Sequence, residues 1–261
     1  MRGQSRRALV GALVAAPIQL SVIIPVRNGE DRLPDHLRAV AEFRRTRPFP
    51  TEVVLVDDGS DAPAARILDG WGAADGFVLV RNEVNSGKGS AVRRGLLAAR
   101  GAFRIFLDAD LSYPVEEIGK VLAALEAGSD VVVACRVLTE SRYVMSPVFF
   151  RYLYTRHLLS RIFNALVRHT VLPRILDSQA GLKGLTGAAA ERIVPKLTIA
   201  GFAFDVELLY VAHLHGLRMT QIPVTFHYDS EPTTVRFVAD GWRMVRDLAR
   251  IRSNGFRGRY A

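Results

Sequence analysis

With 261 residues, 49% of them apolar, the chain has room for one large domain or two small ones and is too hydrophobic for wholesale disorder. Its single cysteine, Cys135, excludes an internal disulfide framework and fits a reducing compartment. Thirty-five Lys and Arg stand against 26 Asp and Glu, a net charge of +9 that suits nucleic acid, anionic lipid or phosphorylated substrates.

That excess is concentrated at the two ends. Arg2, Arg6 and Arg7 precede the first acid, Glu30, and the stretch from Arg236 to Arg259 carries seven Arg against Asp240 and Asp247. No segment reaches the roughly 18–20 apolar residues of a membrane span. Ala8 to Ile18, behind Arg6-Arg7, has the outline of a signal peptide, but Gly11 interrupts it and the first strand follows at once. Residues 1–19 are therefore read as a basic, apolar segment that faces a membrane or packs on the domain.

In chain order, Leu20-Ser21-Val22-Ile23-Ile24-Pro25 is a strand that runs into Val26-Arg27-Asn28-Gly29-Glu30, and Leu33 to Phe43 is the first helix. Val53 to Val56 is the second strand, ending in Asp57-Asp58-Gly59-Ser60-Asp61, with a helix over Ala62 to Trp71. Phe77 to Val80 leads into Arg81-Asn82-Glu83-Val84-Asn85-Ser86-Gly87-Lys88-Gly89-Ser90, and a third helix covers Ser90 to Arg100. Arg104 to Leu107 is a buried strand that ends in Asp108-Ala109-Asp110. Pro114 opens a fourth helix, Val115 to Ala127, which Gly128 closes before the strand Asp130 to Cys135. Strands alternating with helices, each strand ending in a polar or glycine-rich loop, predict an α/β nucleotide-binding fold with a mostly parallel sheet flanked by helices.

Asp108 and Asp110 carry the sharpest chemical signal. Like charges one residue apart repel, and a strand end in an open α/β sheet is where ligands bind. A hard divalent cation resolves the conflict, since Mg²⁺ or Mn²⁺ takes oxygen ligands and bridges to a diphosphate. Two solvated turn carboxylates are the bland alternative. Gly87-Lys88-Gly89 before a helix suits an anionic ligand. It is neither a Walker loop, because Asn82 stands where a glycine is needed, nor a dinucleotide fingerprint, because Val92 takes the third glycine's place.

Farther along, His157, Ser160, Arg161, Asn164 and Arg168 share one helical face, and Leu158, Leu159, Ile162, Phe163, Leu166 and Val167 share the other. With the aromatic lead-in Phe149 to Tyr154, this reads as a basic amphipathic helix at a membrane interface, against the plainer reading of a surface helix docked on the sheet. Asp205 lies in an apolar run, where an ionised carboxylate needs a partner or a role. Asp177 is open between a site residue and a cap or turn.

Together the motifs resemble the family 2 glycosyltransferases of the GT-A fold, those that move a sugar from a nucleotide onto a polyprenyl or dolichyl phosphate. The resemblance runs from about Leu20 to Arg252. It is carried by Val22-Ile23-Ile24-Pro25, Val56-Asp57-Asp58-Gly59-Ser60, Asn85 to Val92, Asp108-Ala109-Asp110-Leu111-Ser112, Asp177 to Lys183 and Phe202 to Tyr210. It implies that Pro25, Arg27, Asn28, Glu30, Asp57 and Asp58 surround base and ribose, with Asn85, Lys88, Gly89 and Ala109 also on the nucleotide sugar. It further implies that Asp108 and Asp110 hold Mg²⁺ or Mn²⁺ on the diphosphate, and that Arg136, Gln179 and Lys183 meet donor or acceptor phosphates. Asp110, Asp177 and Asp205 are the catalytic candidates. The family usually has Tyr where Arg27 stands, which exchanges a ring for a guanidinium as the stacking surface.

The resulting layout is a nucleotide-sugar half over 20–136, an acceptor half with amphipathic interfacial helices over 137–235, and a basic helix and tail over 236–261. The expected donor is a UDP-sugar ahead of GDP-mannose, and the expected place is the cytoplasmic face of a membrane, held peripherally by anionic lipid. A separate small membrane protein is a possible partner; nucleic acid is not expected. A sugar nucleotidyltransferase, a transferase with a soluble acceptor and a non-enzymatic basic binder stand as rival readings.

Overall fold

The computed structural model describes residues 17–28, 33–71, 76–110, 112–145, 161–228 and 237–261. Several sequence expectations lie outside these residues: most of the N-terminal segment, Glu30, Leu111, the aromatic run 149–154 and positions 157–160.

Strands β1 (Leu20–Val26), β2 (Thr51–Asp58), β3 (Phe77–Asn82) and β4 (Phe103–Leu107) are parallel, joined through helices α1 (Leu33–Arg45), α2 (Ala62–Asp69) and α3 (Lys88–Ala98). α4 (Glu117–Glu126) leads to β5 (Val131–Cys135) and then to β6 (Arg142–Met145). A helix over 161–170, here α5, precedes β7 (Leu182–Thr186), α6 (Gly187–Ile193), α7 (Phe204–Leu214), β8 (Met219–Pro223), β9 (Thr225–Tyr228) and α8 (Phe237–Phe256). The main sheet has the order β3-β2-β1-β4-β7-β5-β8, and β6 pairs with β9 beside it.

The inner strands β1, β2 and β5 are buried along nearly their whole length, as a sheet covered by helices requires. Val22, Ile24, Val53, Leu55 and Ile105 join the core under α1 and α4, whereas Ile23, Val54, Val56 and Phe106 join the core under α3, α6 and α7. Register then aligns the strand ends. Val26 pairs with Asp57, and Asp57 and Asp58 pair with Arg81 and Asn82, so the polar loops share one edge.

The decisive strand is β7. It runs antiparallel to both β4 and β5, with Leu182 beside Leu107. Its entry therefore meets the exit of β4, which puts residues 177–181 next to Asp108. β5 runs in the same direction as β4, so Arg136 emerges on that edge too.

Two sequence expectations change. α3 begins at Lys88, which places Lys88 and Gly89 in the first helical turn rather than in the loop before it. The apolar face of α5 is not a free membrane face: Val167 is buried and Phe163 and Leu166 pack on the core, leaving Ile162 exposed. Asn164, assigned to the solvent face, turns inward and accepts from the Ser178 backbone N–H (3.2 Å) and hydroxyl (2.9 Å). An amphipathic helix finds core and bilayer equally apolar, and the nearby sheet supplied the partner first. No described helix is long and apolar enough to cross a membrane.

Candidate active site

The first two loops form a polar wall. Asn28, with a positive φ of 57°, donates its N–H to Ser60 Oγ (3.0 Å) and accepts from the Asp61 N–H at Oδ1 (3.0 Å). Asp57 is buried and accepts from the Ser60 N–H and from Arg81 Nε, both at 2.9 Å. Asp58 is also buried. Its Oδ1 takes Asn82 Nδ2 (2.7 Å) and the Ser86 N–H (2.9 Å), and its Oδ2 takes the Gly87 N–H (2.9 Å). Asp58 thus builds the glycine loop, and Asn85 Oδ1 adds a further contact to the Gly87 N–H (3.1 Å). Pro25 is half-buried at the end of β1, and Arg27 is exposed just beyond it.

At the centre, Lys88 Nζ lies 2.6 Å from Asp108 Oδ1. Burial opposes the ammonium charge, but Asp108, Asp205 and Asp110 outweigh it and hold its pKa above the ordinary lysine value. Asp110 accepts from the Ser112 N–H (2.9 Å). Partial loss of water and the neighbouring Asp108 charge raise its carboxyl above the usual range, although the residue keeps one side open to solvent. The loop between is pinned by His36, whose Nδ1 is 2.5 Å from the Ala109 carbonyl. A Cβ on Gly181 would sit 2.1 Å from Asp108 Oδ2, so only glycine lets the carboxylate rest where it does.

The two carboxylates suit a divalent cation, being hard oxygen donors that repel each other. Among the described residues no third His, Cys, Asp or Glu joins them, so a cation would draw its remaining ligands from substrate and water.

Beyond Gly181, Arg136 grips Asp177 through Nε (2.7 Å) and the outer nitrogen (2.9 Å), while its own N–H also reaches the carboxylate (3.1 Å). Burial alone would raise the Asp177 carboxyl; the guanidinium outweighs it and holds the group below the usual carboxylate range. Asp177 is therefore a buried anchor for Arg136. A group with a depressed folded pKa stabilises above its unfolded value and loses that stability as pH falls through the folded value. Asp177→Asn should accordingly flatten the acid limb of a thermal-melting profile below about pH 4 relative to wild type. An unchanged acid limb would show that the pair contributes nothing.

Lys183 is fully buried, with Nζ 2.5 Å from both Asp205 Oδ1 and the Ala180 carbonyl, and lies over the Phe106 ring. Burial raises the Asp205 carboxyl and lowers the Lys183 ammonium, each against the pull of its partner. Asp177 and Asp205 thus sit in ion pairs, and Lys183, expected from the resemblance to meet a phosphate, is enclosed with its ammonium on Asp205 and the Ala180 carbonyl. Among the described residues, Gln179 Nε2 is buried without a hydrogen-bond partner. The hydroxyl of Tyr113, a residue with no assigned role in the sequence, is buried beside the Gly181 backbone. Tyr113 is 2% exposed and packs edge-on against Phe226. Its only sequence signal was its place after Asp108-Ala109-Asp110. Cys135 is buried beneath this edge and acts as core.

Against known proteins, residues 21–179 match the family described as Glycosyl transferase family 2, and the chain belongs to that family. Among curated relatives, the dolichyl-phosphate beta-glucosyltransferase of Homo sapiens is 33% identical over 249 residues, 90% of this chain and 75% of that protein. The Dictyostelium discoideum protein of the same description is 29% identical over 245 residues, covering 90% and 74%. An undecaprenyl-phosphate 4-deoxy-4-formamido-L-arabinose transferase of Klebsiella pneumoniae is 32% identical over 184 residues, covering 62% and 56%. The fold is that of the GT-A glycosyltransferases: glucosyl-3-phosphoglycerate synthase of Mycobacterium tuberculosis, solved with UDP, superposes with a TM-score of 0.64 over 90% of this chain and 80% of that one, at 19% identity. The same enzyme has been solved with Mn²⁺, UDP-glucose and glycerol 3-phosphate (TM-score 0.61, 17% identity, covering 90% and 80%).

Proposed function

We propose that this chain transfers a hexose or N-acetylhexosamine from a nucleotide sugar, a UDP-sugar before GDP-mannose, to a polyprenyl phosphate at a membrane surface, with inversion at the anomeric carbon. The observation that carries it is the convergence of Asp108, Asp110, Lys88, the Arg136–Asp177 pair and the buried Lys183 on one sheet edge. Relatives described as acting on dolichyl and undecaprenyl phosphate support the lipid acceptor.

The nucleotide base and ribose would rest against the Asn28–Asp57–Asp61 wall. Lys88 would bind the diphosphate. Asp108 and Asp110 would hold Mg²⁺ or Mn²⁺, which supplies charge neutralisation on the departing nucleoside diphosphate. Arg136, aimed by Asp177, would bring its guanidinium charge to the acceptor phosphate. An ionised phosphate oxygen attacks without a strong general base, so rate enhancement rests on positioning and on charge.

The acceptor half also exposes apolar side chains. The Tyr143 hydroxyl donates to the Arg136 carbonyl (2.7 Å), Val137, next to Arg136 in the chain, is 53% exposed, and Val144 and Ile162 are 51% and 57% exposed. Exposed apolar groups of this kind suit a prenyl chain leaving a bilayer. α8 adds Arg243, Arg246, Arg250 and Arg252. Val144→Asp with Ile162→Asp should lower binding to anionic vesicles at least about tenfold. Equal wild-type partitioning to neutral and anionic vesicles, or none, would count against peripheral attachment.

The direct test is transfer of radiolabel from a panel of UDP- and GDP-sugars to a short polyprenyl phosphate with Mg²⁺ or Mn²⁺. Metal-dependent label in the organic phase from one donor is the expected result. Donor hydrolysis alone would point to a soluble acceptor, and neither reaction would remove the nucleotide site.

A further inference from the structure

Behind the glycine loop lies a buried carboxylate that the reaction does not use. Glu207, on α7, is fully buried. Its Oε2 accepts from the Thr198 and Ile199 N–H groups, both at 2.8 Å, and its Oε1 accepts from the Thr198 hydroxyl and the Tyr260 hydroxyl, both at 2.7 Å. Tyr260 is itself 1% exposed and is held by His215 Nε2 on its carbonyl (2.7 Å) and by Asn254 Nδ2 on its hydroxyl (3.3 Å).

The segment that Glu207 clamps is the seat of the Lys88 turn. The Ala200 carbonyl accepts from the Gly89 N–H (2.8 Å) and the Ser90 N–H (3.3 Å). A Cβ on Gly87 would meet the Ala200 oxygen at 2.5 Å, and one on Gly89 would meet the Ile199 oxygen at 2.6 Å and Phe204 Cβ at 2.5 Å. Residues 198–201 and the amide end of α3 therefore touch backbone to backbone, with no side chain to absorb a shift. A displacement of the segment moves the turn that carries Lys88. The ordinary alternative is that Glu207 only staples Tyr260 to the core.

We propose that Glu207, fastened by Tyr260, is a positioning residue for donor binding: it sets the 198–201 segment that fixes the first turn of α3 and so aligns Lys88 toward the donor diphosphate. The inference rests on the reading of the Lys88 turn as the donor-diphosphate site. It makes residues far from the acceptor side specific to the donor. Glu207→Gln keeps the size and an oxygen for the two backbone N–H groups; Glu207→Ala loses all four bonds; Tyr260→Phe loses one of the four and the contact from Asn254.

The test is steady-state transfer by the full chain, with KM measured separately for nucleotide sugar and polyprenyl phosphate, beside thermal melting of each variant. Glu207→Ala should raise the donor KM about tenfold or more with the acceptor KM changed less than about twofold, Tyr260→Phe should raise the donor KM a few-fold, and Glu207→Gln should recover most of the loss. Glu52→Ala serves as a control for lost stability. That buried carboxylate holds Ser21 and Arg100 at the opposite edge of the sheet, so its removal should lower melting temperature without moving the donor KM. If Glu207→Ala fails to fold, Tyr260→Phe and Glu207→Gln still decide. An active wild type whose donor KM is unmoved in Tyr260→Phe, or is raised as much by Glu52→Ala as by the Glu207 variants, overturns the inference. A wild type that neither binds nor uses a nucleotide sugar instead overturns the donor reading on which it rests.

Discussion

Asp108→Asn is expected to lower transfer about a thousandfold while leaving the melting temperature within a few degrees of wild type. The substitution keeps the side chain's size, so the close approach of Gly181 and the exit of β4 are undisturbed. It removes the counter-charge 2.6 Å from Lys88 and one of the two carboxylates proposed to hold a cation on the diphosphate. Charge stabilisation on a departing diphosphate amounts to several kcal/mol of barrier, and roughly 1.4 kcal/mol is a factor of ten, hence the size of the effect. Retention of more than about a tenth of the activity with saturating Mg²⁺ or Mn²⁺ would sink the assignment of this residue. Gly181→Ala probes the same point from the other side, because the added methyl would force the Asp108 carboxylate out of its place. It should lose activity while Asp108 is intact.

Lys183→Met should have the largest effect on stability. The ammonium is wholly buried and held at 2.5 Å from Asp205, so its removal leaves a buried carboxylate without a partner. Breaking a buried pair by deleting one member costs about 3–5 kcal/mol, more than the pair itself contributes relative to an apolar replacement. For a chain of this size that is a drop in melting temperature of roughly 10 °C. Lys183→Met with Asp205→Asn removes both charges and should recover most of the stability. Transfer should stay low in the double variant if the pair also shapes the field at Lys88, whose charge Asp205 helps to hold. Recovery of both stability and transfer in the double variant would make the pair purely structural.

Much of the first half was legible because parallel strands covered on both faces must be apolar throughout and must end in polar loops. β1 to β4, their helices and the carboxylates of Asp57, Asp58, Asp108 and Asp110 could be placed from runs and spacings alone. What those carboxylates touch could not. Asp58 and Asp57 stand side by side in the sequence, yet one builds the glycine loop and the other anchors Arg81. Alternation along the strand sends their side chains to opposite faces, and which face meets which loop depends on the neighbouring strand.

The basic helix over 161–170 was misjudged for a related reason. Its amphipathic pattern records that one face is apolar without recording what covers it. Among the described residues of that face, Phe163, Leu166 and Val167 pack on the core and Ile162 is exposed.

By itself, then, the sequence determined the alternating α/β frame, the loops that carry the chemistry and the acidic pair at the end of β4, since these follow from local periodicity and from charge. Only the tertiary structure decided that β7 enters antiparallel beside β4, because strand order depends on pairings across long separations in the chain. That one pairing brings Gly181 to Asp108, sinks Lys183 beside Asp205, and lets Glu207 and Tyr260 stand behind a lysine far from them in sequence.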